Sequence, residues 1–159
     1  MDKKRNSTFR MKVAVSGYFD PIHVGHIEYL GMARRLADSR ALQSDSLWGE
    51  LIVIVNNDYQ CELKKGKSFM PEQDRLRIVQ SLRVVDKAFL SIDRDRSVCE
   101  SLAAIQPDIF ANGGDRSLGE IPETKVMKEY NIEMVDGLGD KIRSSSDLTG
   151  LKEKSKKTS

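Results

Sequence analysis

Cysteine is scarce in this sequence: Cys61 and Cys99 are the only two among 159 residues, and they stand in no metal-binding or redox spacing. A disulfide framework is therefore excluded, and a reducing compartment such as the cytoplasm is expected. No apolar run approaches the ~18 residues that a membrane-spanning helix needs. The first residues also lack the apolar core of a signal peptide, so we expect no membrane partner.

An excess of one charge sign is also missing, since 26 Lys and Arg residues face 24 Asp and Glu residues. The near balance gives no electrostatic reason to expect nucleic acid as a main partner. Basic residues concentrate at the two ends, 1–10 and 152–159, which are poor in apolar residues and are predicted to be flexible basic tails. Residues 11–151 are predicted to form a single domain, because a chain of this length buries one core.

The pattern of apolar residues predicts strands that alternate with helices. A β-branched run at 11–15 precedes a helical pattern, and the continuous apolar run at 51–55 is typical of a strand buried on both faces of a parallel sheet. We therefore expect an α/β fold, a Rossmann-like three-layer sandwich with a parallel sheet of about five strands. Trp48 is expected to plug the core under a loop, or alternatively to contact another subunit.

Both histidines of the chain lie where the first strand passes into the first helix. His23 and His26 are three residues apart on one face of the first helical turn, with Gly25 between them. The pair could be ordinary surface residues or metal ligands, but helical metal pairs usually lie four apart, and no third ligand accompanies these. A phosphate site at the helix N-terminus explains the pair best, so we name no metal ligand.

This turn resembles the signature of the cytidylyltransferase-like nucleotidyltransferases, which join a nucleoside monophosphate to a phosphorylated small molecule and release pyrophosphate. The resemblance implies that His23 and His26 are catalytic and donate to the phosphates in the transition state. It also implies nucleotide binding by the residues around them. Those residues are Gly17, Tyr18, Phe19, Asp20 and Gly25.

A basic stretch and the helix after it add two more candidates. Three lysines, Lys64, Lys65 and Lys67, fall within four positions and could clamp a triphosphate or simply face solvent. The resemblance points to Lys65 as the lysine that holds the transferring phosphate. Arg75, in the predicted helix 72–82, resembles the family's arginine in the corresponding helix, although an exposed arginine is the alternative.

Two glycines follow the fourth predicted strand. Gly113 and Gly114 allow close backbone approach, and Asp115 offers a carboxylate to a base or a ribose. A strand-ending turn is the alternative. This loop looks most like the adenylyltransferase half of ADP-heptose synthesis, and next like the glycerol-3-phosphate cytidylyltransferases, but Asn112 stands where a lysine is expected in the heptose enzymes.

A second anion-binding segment is predicted near the end of the domain. A glycine-rich loop leads to three serines at a helix start, where hydroxyls and free N–H groups point the same way. The segment resembles the family's serine-rich motif that holds the β and γ phosphates. The residues are Arg143, Ser144, Ser145 and Ser146, with Lys141 as an alternative source of charge.

The predicted reaction is therefore transfer of CMP or AMP from CTP or ATP to a phosphorylated sugar or polyol, with release of pyrophosphate. A cofactor-precursor adenylyltransferase, of the pantetheine phosphate or nicotinamide mononucleotide type, is the alternative enzyme. A non-catalytic nucleotide-binding module is the alternative from another class. The resemblance further implies Mg²⁺ bound mainly through water and phosphate oxygens, and a homodimer.

Overall fold

The computed structural model describes residues 10–113 and 121–138, and the architecture below refers to those residues. A single five-stranded sheet forms the centre, with every neighbouring pair of strands parallel. The strands are β1 (Arg10–Gly17), β2 (Trp48–Val55), β3 (Lys87–Leu90), β4 (Ile109–Ala111) and β5 (Glu133–Val135). Their order in the sheet is β3-β2-β1-β4-β5, which confirms the predicted Rossmann-like parallel sheet.

Helices connect the strands in the described part of the chain. They are α1 (Val24–Gln43), α2 (Asp58–Lys65), α3 (Glu72–Gln80), α4 (Cys99–Ile105) and α5 (Thr124–Glu129). The basic stretch that we predicted to be a loop is partly helical, because Lys64 and Lys65 form the last turn of α2 before Gly66 ends it at φ 94°. None of the described helices is both long enough and apolar enough to span a bilayer.

Apolar side chains of the strands alternate between two buried layers, which makes the predicted three-layer sandwich. Val13 and Val15 of β1 pack on one face with residues of α1 and α3. Ala14, between them, faces the opposite layer with residues of α4 and α5. This period of two is what a strand buried on both faces requires.

The packing of α1 on β2 depends on one glycine. A Cβ atom at Gly49 of β2 would overlap the backbone carbonyl of Ala37 in α1, so the helix can approach the strand only where no side chain intervenes. The buried residues of α1 begin at Tyr29, whereas Ile27 in its first turn is 45% exposed.

The prediction that Trp48 plugs the core under a loop is wrong. Trp48 is the first residue of β2, where it pairs with Arg10, and it is 46% exposed. Burial of this strand begins only at Gly49 and becomes continuous from Leu51 onward. The indole therefore lies on the surface, outside the two core layers.

The sheet order places a switch point between β1 and β4. From β1 the chain adds β2 and β3 on one side, and then returns to add β4 and β5 on the other. Crossover connections leave a crevice at the carboxyl ends of the strands at such a point, and ligands of open α/β sheets bind there. The two histidines follow β1 at this edge.

Candidate active site

The histidine turn is built by the two imidazoles themselves. The backbone N–H of Gly25 donates to His23 Nδ1 at 3.1 Å, and the backbone N–H of His23 donates to His26 Nδ1 at 3.0 Å. Each ring thus takes up one of the N–H groups that a helix start leaves without a partner. The ring centroids lie 4.0 Å apart, so the structure brings the two predicted catalytic histidines together.

These backbone contacts fix which nitrogen of each ring faces outward. Because Nδ1 accepts a hydrogen bond, a neutral imidazole carries its proton on Nε2 and presents Nε2–H as a donor. Burial, and then the proximity of His23, lower the pKa of His26 to about 4. At neutral pH the His26 ring is therefore an uncharged hydrogen-bond donor rather than an imidazolium.

Phe19 and Gly17 support the turn from behind. The Phe19 side chain is 1% exposed, its ring centroid lies 4.9 Å from that of His26, and its backbone has a positive φ of 52°. A Cβ at Gly17 would lie 2.8 Å from Phe19 Cζ, so glycine is needed to admit the ring. In this structure the two predicted nucleotide-binding residues position His26 through packing.

Asp20 ties the histidine loop to the segment before α3. The backbone N–H groups of Phe69 and Met70 donate to its carboxylate at 2.8 and 2.6 Å, and Lys65 Nζ lies 2.8 Å from Oδ2. Burial alone would raise the pKa of Asp20, but the hydrogen bonds from Lys65, Phe69 and Met70 outweigh it and lower the pKa. Asp20 is thus a charged anchor, and it holds Lys65 beside the histidine loop.

Arg75 lies behind the site as a buried tie. Its guanidinium, 1% exposed, donates to the backbone carbonyls of Met70, Tyr18 and Asn56 at 2.6–2.9 Å, and to Asp58 Oδ1 at 2.7 Å. The alternative of an exposed surface arginine is therefore wrong. Four acceptors within the protein occupy the side chain, so its role in this structure is to hold the strand-end loops together.

A cavity of about 610 Å³ opens at the switch point, beside the histidine turn. Its walls come from the carboxyl ends of β1 and β4, the residues that follow β1, β2, β3 and β4, the last turn of α2, and the residues just before α4 and α5; the histidine rings are not part of its lining. The lining residues are Ser16, Gly17, Tyr18, Asn56, Lys64, Asp95, Arg96, Ser97, Val98, Phe110, Asn112, Pro122 and Glu123. A cavity of this size matches those that hold small ligands.

Two cations flank Tyr18 in the cavity wall. Lys64 Nζ lies 4.2 Å from the centroid of the Tyr18 ring, and the Arg96 side chain is hydrogen-bonded to the Tyr18 side chain. Burial raises the pKa of Tyr18, although Arg96 opposes the shift. This wall suits an anionic group, and Lys64 is the lysine of the basic stretch that reaches the cavity.

Of the predicted nucleotide-binding loop after β4, the structure describes only Gly113, and the second predicted anion-binding segment lies wholly outside the described residues. Gly113 lies directly after Asn112 at the cavity rim, and a Cβ there would lie 2.9 Å from Tyr29 Cε1. The remaining predictions fall outside the described residues. They concern Gly114, Asp115, Lys141, Arg143, Ser144, Ser145 and Ser146.

Several cavity residues were missed by sequence reasoning. Arg96 and Asp95 follow β3, and Glu123 precedes α5, where its carboxylate accepts from the Val98 N–H at 2.9 Å. The signal for Arg96 was available, because charged residues that follow a parallel strand collect at the ligand-binding edge. Glu123 gives no such signal, because its position depends on how α5 packs.

Comparisons with known proteins agree with this geometry. The family described as cytidylyltransferase-like matches residues 14–146. A FAD synthase of Methanopyrus kandleri is 34% identical over 109 residues, which are 69% of this chain and 66%, just under two thirds, of that protein. The bifunctional protein HldE of Streptomyces coelicolor is 34% identical over 125 residues, which are 77% of this chain but only 24% of HldE.

A solved structure extends the agreement to the fold. The lipopolysaccharide core biosynthesis protein of Thermoplasma volcanium superposes with a TM-score of 0.62 and 26% identity, over 80% of this chain and 95% of that one. The sheet order, the histidine turn after β1 and the matched residues all point the same way. The chain belongs to the cytidylyltransferase-like family of nucleotidyltransferases.

Proposed function

We propose that this protein transfers AMP from ATP to flavin mononucleotide, which yields FAD and pyrophosphate. The proposal rests on the similarity to proteins named FAD synthase, from Methanopyrus kandleri and other organisms, over 69–74% of this chain. FAD consists of AMP joined to flavin mononucleotide through a pyrophosphate linkage. Its synthesis from a phosphorylated precursor is therefore a nucleotidyl transfer of the kind that the family performs.

The reaction needs positioning and charge neutralisation rather than a protein nucleophile. A phosphate oxygen of the acceptor attacks the α-phosphorus of ATP in line, a new P–O bond forms, and the bond between the α-phosphorus and the bridging oxygen breaks as pyrophosphate leaves. The outward Nε2–H groups of His23 and His26 donate to the phosphoryl oxygens as their charge increases. Because these donors are already fixed by the helix cap, the transition state does not have to organise them.

Lysine charge near the turn supports the same role. Lys65 lies beside Asp20 next to the histidine loop, and Lys64 reaches the cavity over Tyr18. Both could neutralise phosphates of the two substrates. Mg²⁺ would arrive on the triphosphate and neutralise part of its charge, with water and phosphate oxygens as its main ligands.

The cavity has room for a planar heterocycle. Its volume of about 610 Å³ and its mixed lining, with apolar Val98, Phe110 and Pro122 beside polar groups, suit a ring such as the base of the nucleotide. The similarity to proteins named FAD synthase supports the cofactor-precursor alternative from the sequence better than the sugar or polyol phosphate that we expected first. The flavin precursor itself was not among the precursors that the sequence suggested.

A sugar phosphate is the second candidate acceptor. It is favoured by the similarity to HldE and to the lipopolysaccharide core biosynthesis protein. Against it, Asn112 replaces the lysine that the sequence comparison with the heptose enzymes led us to expect. The two candidates differ in acceptor and share the chemistry at the histidine turn.

The test is pyrophosphate release with Mg²⁺, measured for ATP and CTP against flavin mononucleotide, heptose phosphate, glycerol 3-phosphate and pantetheine phosphate. We expect release with ATP and flavin mononucleotide only, together with FAD detected by chromatography. The matched control is His23→Asn, which keeps an acceptor for the Gly25 N–H but removes Nε2–H.

Each other outcome has a definite meaning. Release with heptose phosphate but not with the flavin would replace the proposal by the second candidate. Release with CTP alone would make the protein a cytidylyltransferase. Nucleotide binding that is equal in the wild type and in His23→Asn, with no release from any pair, would support the binding module.

A further inference from the structure

Asn112 places a buried amide without a partner in the wall of the cavity. The residue follows β4, is 8% exposed and lines the cavity. Its side-chain nitrogen has no hydrogen-bond partner, the only such buried side-chain atom among the cavity-lining residues that the structure describes. Buried polar groups are nearly always paired, so an exception at a ligand cavity calls for an explanation.

The backbone of Asn112 is fixed by hydrogen bonds on both sides. Its N–H donates to the Val135 carbonyl at 2.7 Å, and its carbonyl accepts from the Leu138 N–H at 3.3 Å. These bonds hold the residue between β4 and the segment after β5, in the wall of the cavity.

A second asparagine in the same cavity shows what a structural amide looks like in this fold. Asn56 follows β2, is 3% exposed and lines the cavity, and its side-chain nitrogen donates to Gln60 Oε1 at 3.0 Å. Gln60 in turn donates to the carbonyls of Asp95 and Ser97. Asn56 is thus one part of a satisfied network, and Asn112 belongs to no such network.

We infer that Asn112 distinguishes adenine from guanine in the bound nucleotide, by donating its side-chain N–H to an unprotonated ring nitrogen of adenine. A donor that lacks a partner needs an acceptor, and adenine offers ring nitrogens with free lone pairs, while its exocyclic amine can donate to the amide oxygen. On the Watson–Crick edge of guanine the corresponding ring nitrogen carries a proton, which opposes the donor. The inference rests on the proposed function for the identity of ATP as the donor nucleotide.

The distribution of charge in the cavity agrees with this placement. Lys64 and Arg96 lie on the wall formed by residues that follow β2 and β3, where phosphates are favoured. Asn112 lies on the wall that follows β4, with the buried ring of Phe110 close by in sequence. A neutral amide and an apolar ring suit a neutral heterocycle. In this arrangement the base lies against the wall with Asn112 and Phe110, and the phosphates lie against the wall with Lys64 and Arg96.

The test compares Asn112→Leu and Asn112→Asp with the wild type, and uses Asn56→Leu as the matched control. ATP and GTP binding are measured by titration calorimetry, flavin mononucleotide binding by its own fluorescence, and stability by thermal unfolding without ligand. We expect Asn112→Leu to weaken ATP binding at least about tenfold and to raise KM for ATP with little change in kcat. The reason is that a leucine side chain cannot donate a hydrogen bond to the ring nitrogen of adenine. Its affinity for flavin mononucleotide should not change.

The other variants sharpen the assignment. Asn112→Asp presents only acceptors when ionised, so it should weaken ATP binding further and shift the ratio of ATP to GTP affinity toward GTP. Unfolding temperature should stay the same or rise in Asn112→Leu, because no partner is lost. It should fall in Asn56→Leu, because Gln60 then loses its hydrogen bond.

Three results would overturn the inference. If Asn112→Leu binds ATP as tightly as the wild type does, Asn112 does not contact the base. Loss of flavin mononucleotide binding instead would assign Asn112 to the acceptor, and a fall in unfolding temperature as large as that of Asn56→Leu would give it a structural role. If Asn112→Leu does not fold, Asn112→Ala is judged by the same readouts. Wild-type turnover with ATP and flavin mononucleotide is measured in the same experiment. Its absence would count against the proposed function, independently of what the Asn112 variants show.

Discussion

The histidine turn and the Arg75 tie lie at the same edge of the sheet but use their polar atoms in opposite ways. Each histidine spends one ring nitrogen on the backbone and keeps the other facing outward. Arg75 spends its guanidinium on three carbonyls and the Asp58 carboxylate, and is 1% exposed. The histidines and Arg75, which a motif search would group together as site residues, therefore differ in how many polar atoms they leave for a ligand.

The difference shows how this site is preorganised. Arg75 joins the loops that follow β1 and β2 to the start of α3 through hydrogen bonds, and these bonds restrain the backbone that carries the histidines. The Nε2–H donors of the histidine turn are then already in place, so substrate binding does not have to order them. We propose that the residues with an unused donor, His23 and His26, contact the substrate, and that Arg75, whose guanidinium nitrogens all donate within the protein, holds the loops that carry them.

The largest expected effect is on stability, from Arg75→Ala. Removing the guanidinium leaves three buried carbonyls and a carboxylate without their donor, which should lower the free energy of unfolding by about 3–5 kcal/mol. Urea unfolding measures it. Arg77→Ala, at an exposed position on the same helix, is the matched control and should stay within about 0.5 kcal/mol. A variant Arg75→Ala that is as stable as the wild type but inactive would break the comparison, because the arginine would then act on substrate.

His23→Asn should affect catalysis and spare stability. Asparagine is as good a helix cap as any residue, so the Gly25 N–H keeps its acceptor, but the Nε2–H donor is lost. We expect kcat to fall about 10²–10³-fold, as for the loss of one preorganised transition-state donor. Steady-state kinetics and thermal unfolding are measured together. Full activity in this variant would show that the ring serves only as a cap.

Lys65→Met should give a smaller loss of activity. Lys65 is 38% exposed, but the Asp20 side chain that it contacts is buried, and the backbone N–H groups of Phe69 and Met70 still donate to that carboxylate when the lysine is removed. If Lys65 also meets a phosphate, kcat/KM should fall about tenfold, and the free energy of unfolding should fall by about 1–3 kcal/mol because a buried carboxylate loses one partner. Lys67→Met, exposed and outside the cavity lining, is the control. Equal activity of the two variants would leave Lys64 as the phosphate lysine.

The smallest expected effect is the dependence of stability on pH. The pKa of His26 is about 4 in the folded protein, below its ordinary value of 6.5. As the pH falls from 6.5 toward 4, the unfolded chain takes up a proton at this residue and the native protein does not, so stability decreases. Urea midpoints at pH 7, 5.5 and 4.5 should show this slope in the wild type and a shallower one in His26→Gln. Identical slopes would mean that the pKa of His26 in the native state lies near its ordinary value.

Much of the fold follows from residue patterns, and the part that does not has physical reasons. The run at 51–55 reveals β2 because all its residues are buried, but Trp48, Gly49 and Glu50 carry no such pattern although they pair with β1. His23 and His26 were identified because their spacing and the strand before them are local features. The burial of Arg75 could not be predicted, because its acceptors are mostly backbone carbonyls, which any residue type could provide.

The cavity shows the same limit in another form. Lys64 could be named as a candidate from the sequence, but its contact with the Tyr18 ring depends on where α2 ends. Asn112 stood out in the sequence only as a departure from an expected lysine. Its missing hydrogen-bond partner depends on the neighbours that the fold supplies, and a sequence does not state them.

Gly49 has a consequence for any screen of random variants of this protein. The same helix carries His23 at its cap and Ala37 in its later turns, and Ala37 rests directly on Gly49. A side chain at Gly49 would push α1 off the sheet, so we expect inactive clones at this position as well as at the histidines. A map of sensitive positions would then show hits at the start of α1 and at the β2 residue that packs against a later turn of that helix. Only the expression level of the folded protein would distinguish variants that disturb the scaffold from variants that impair the chemistry.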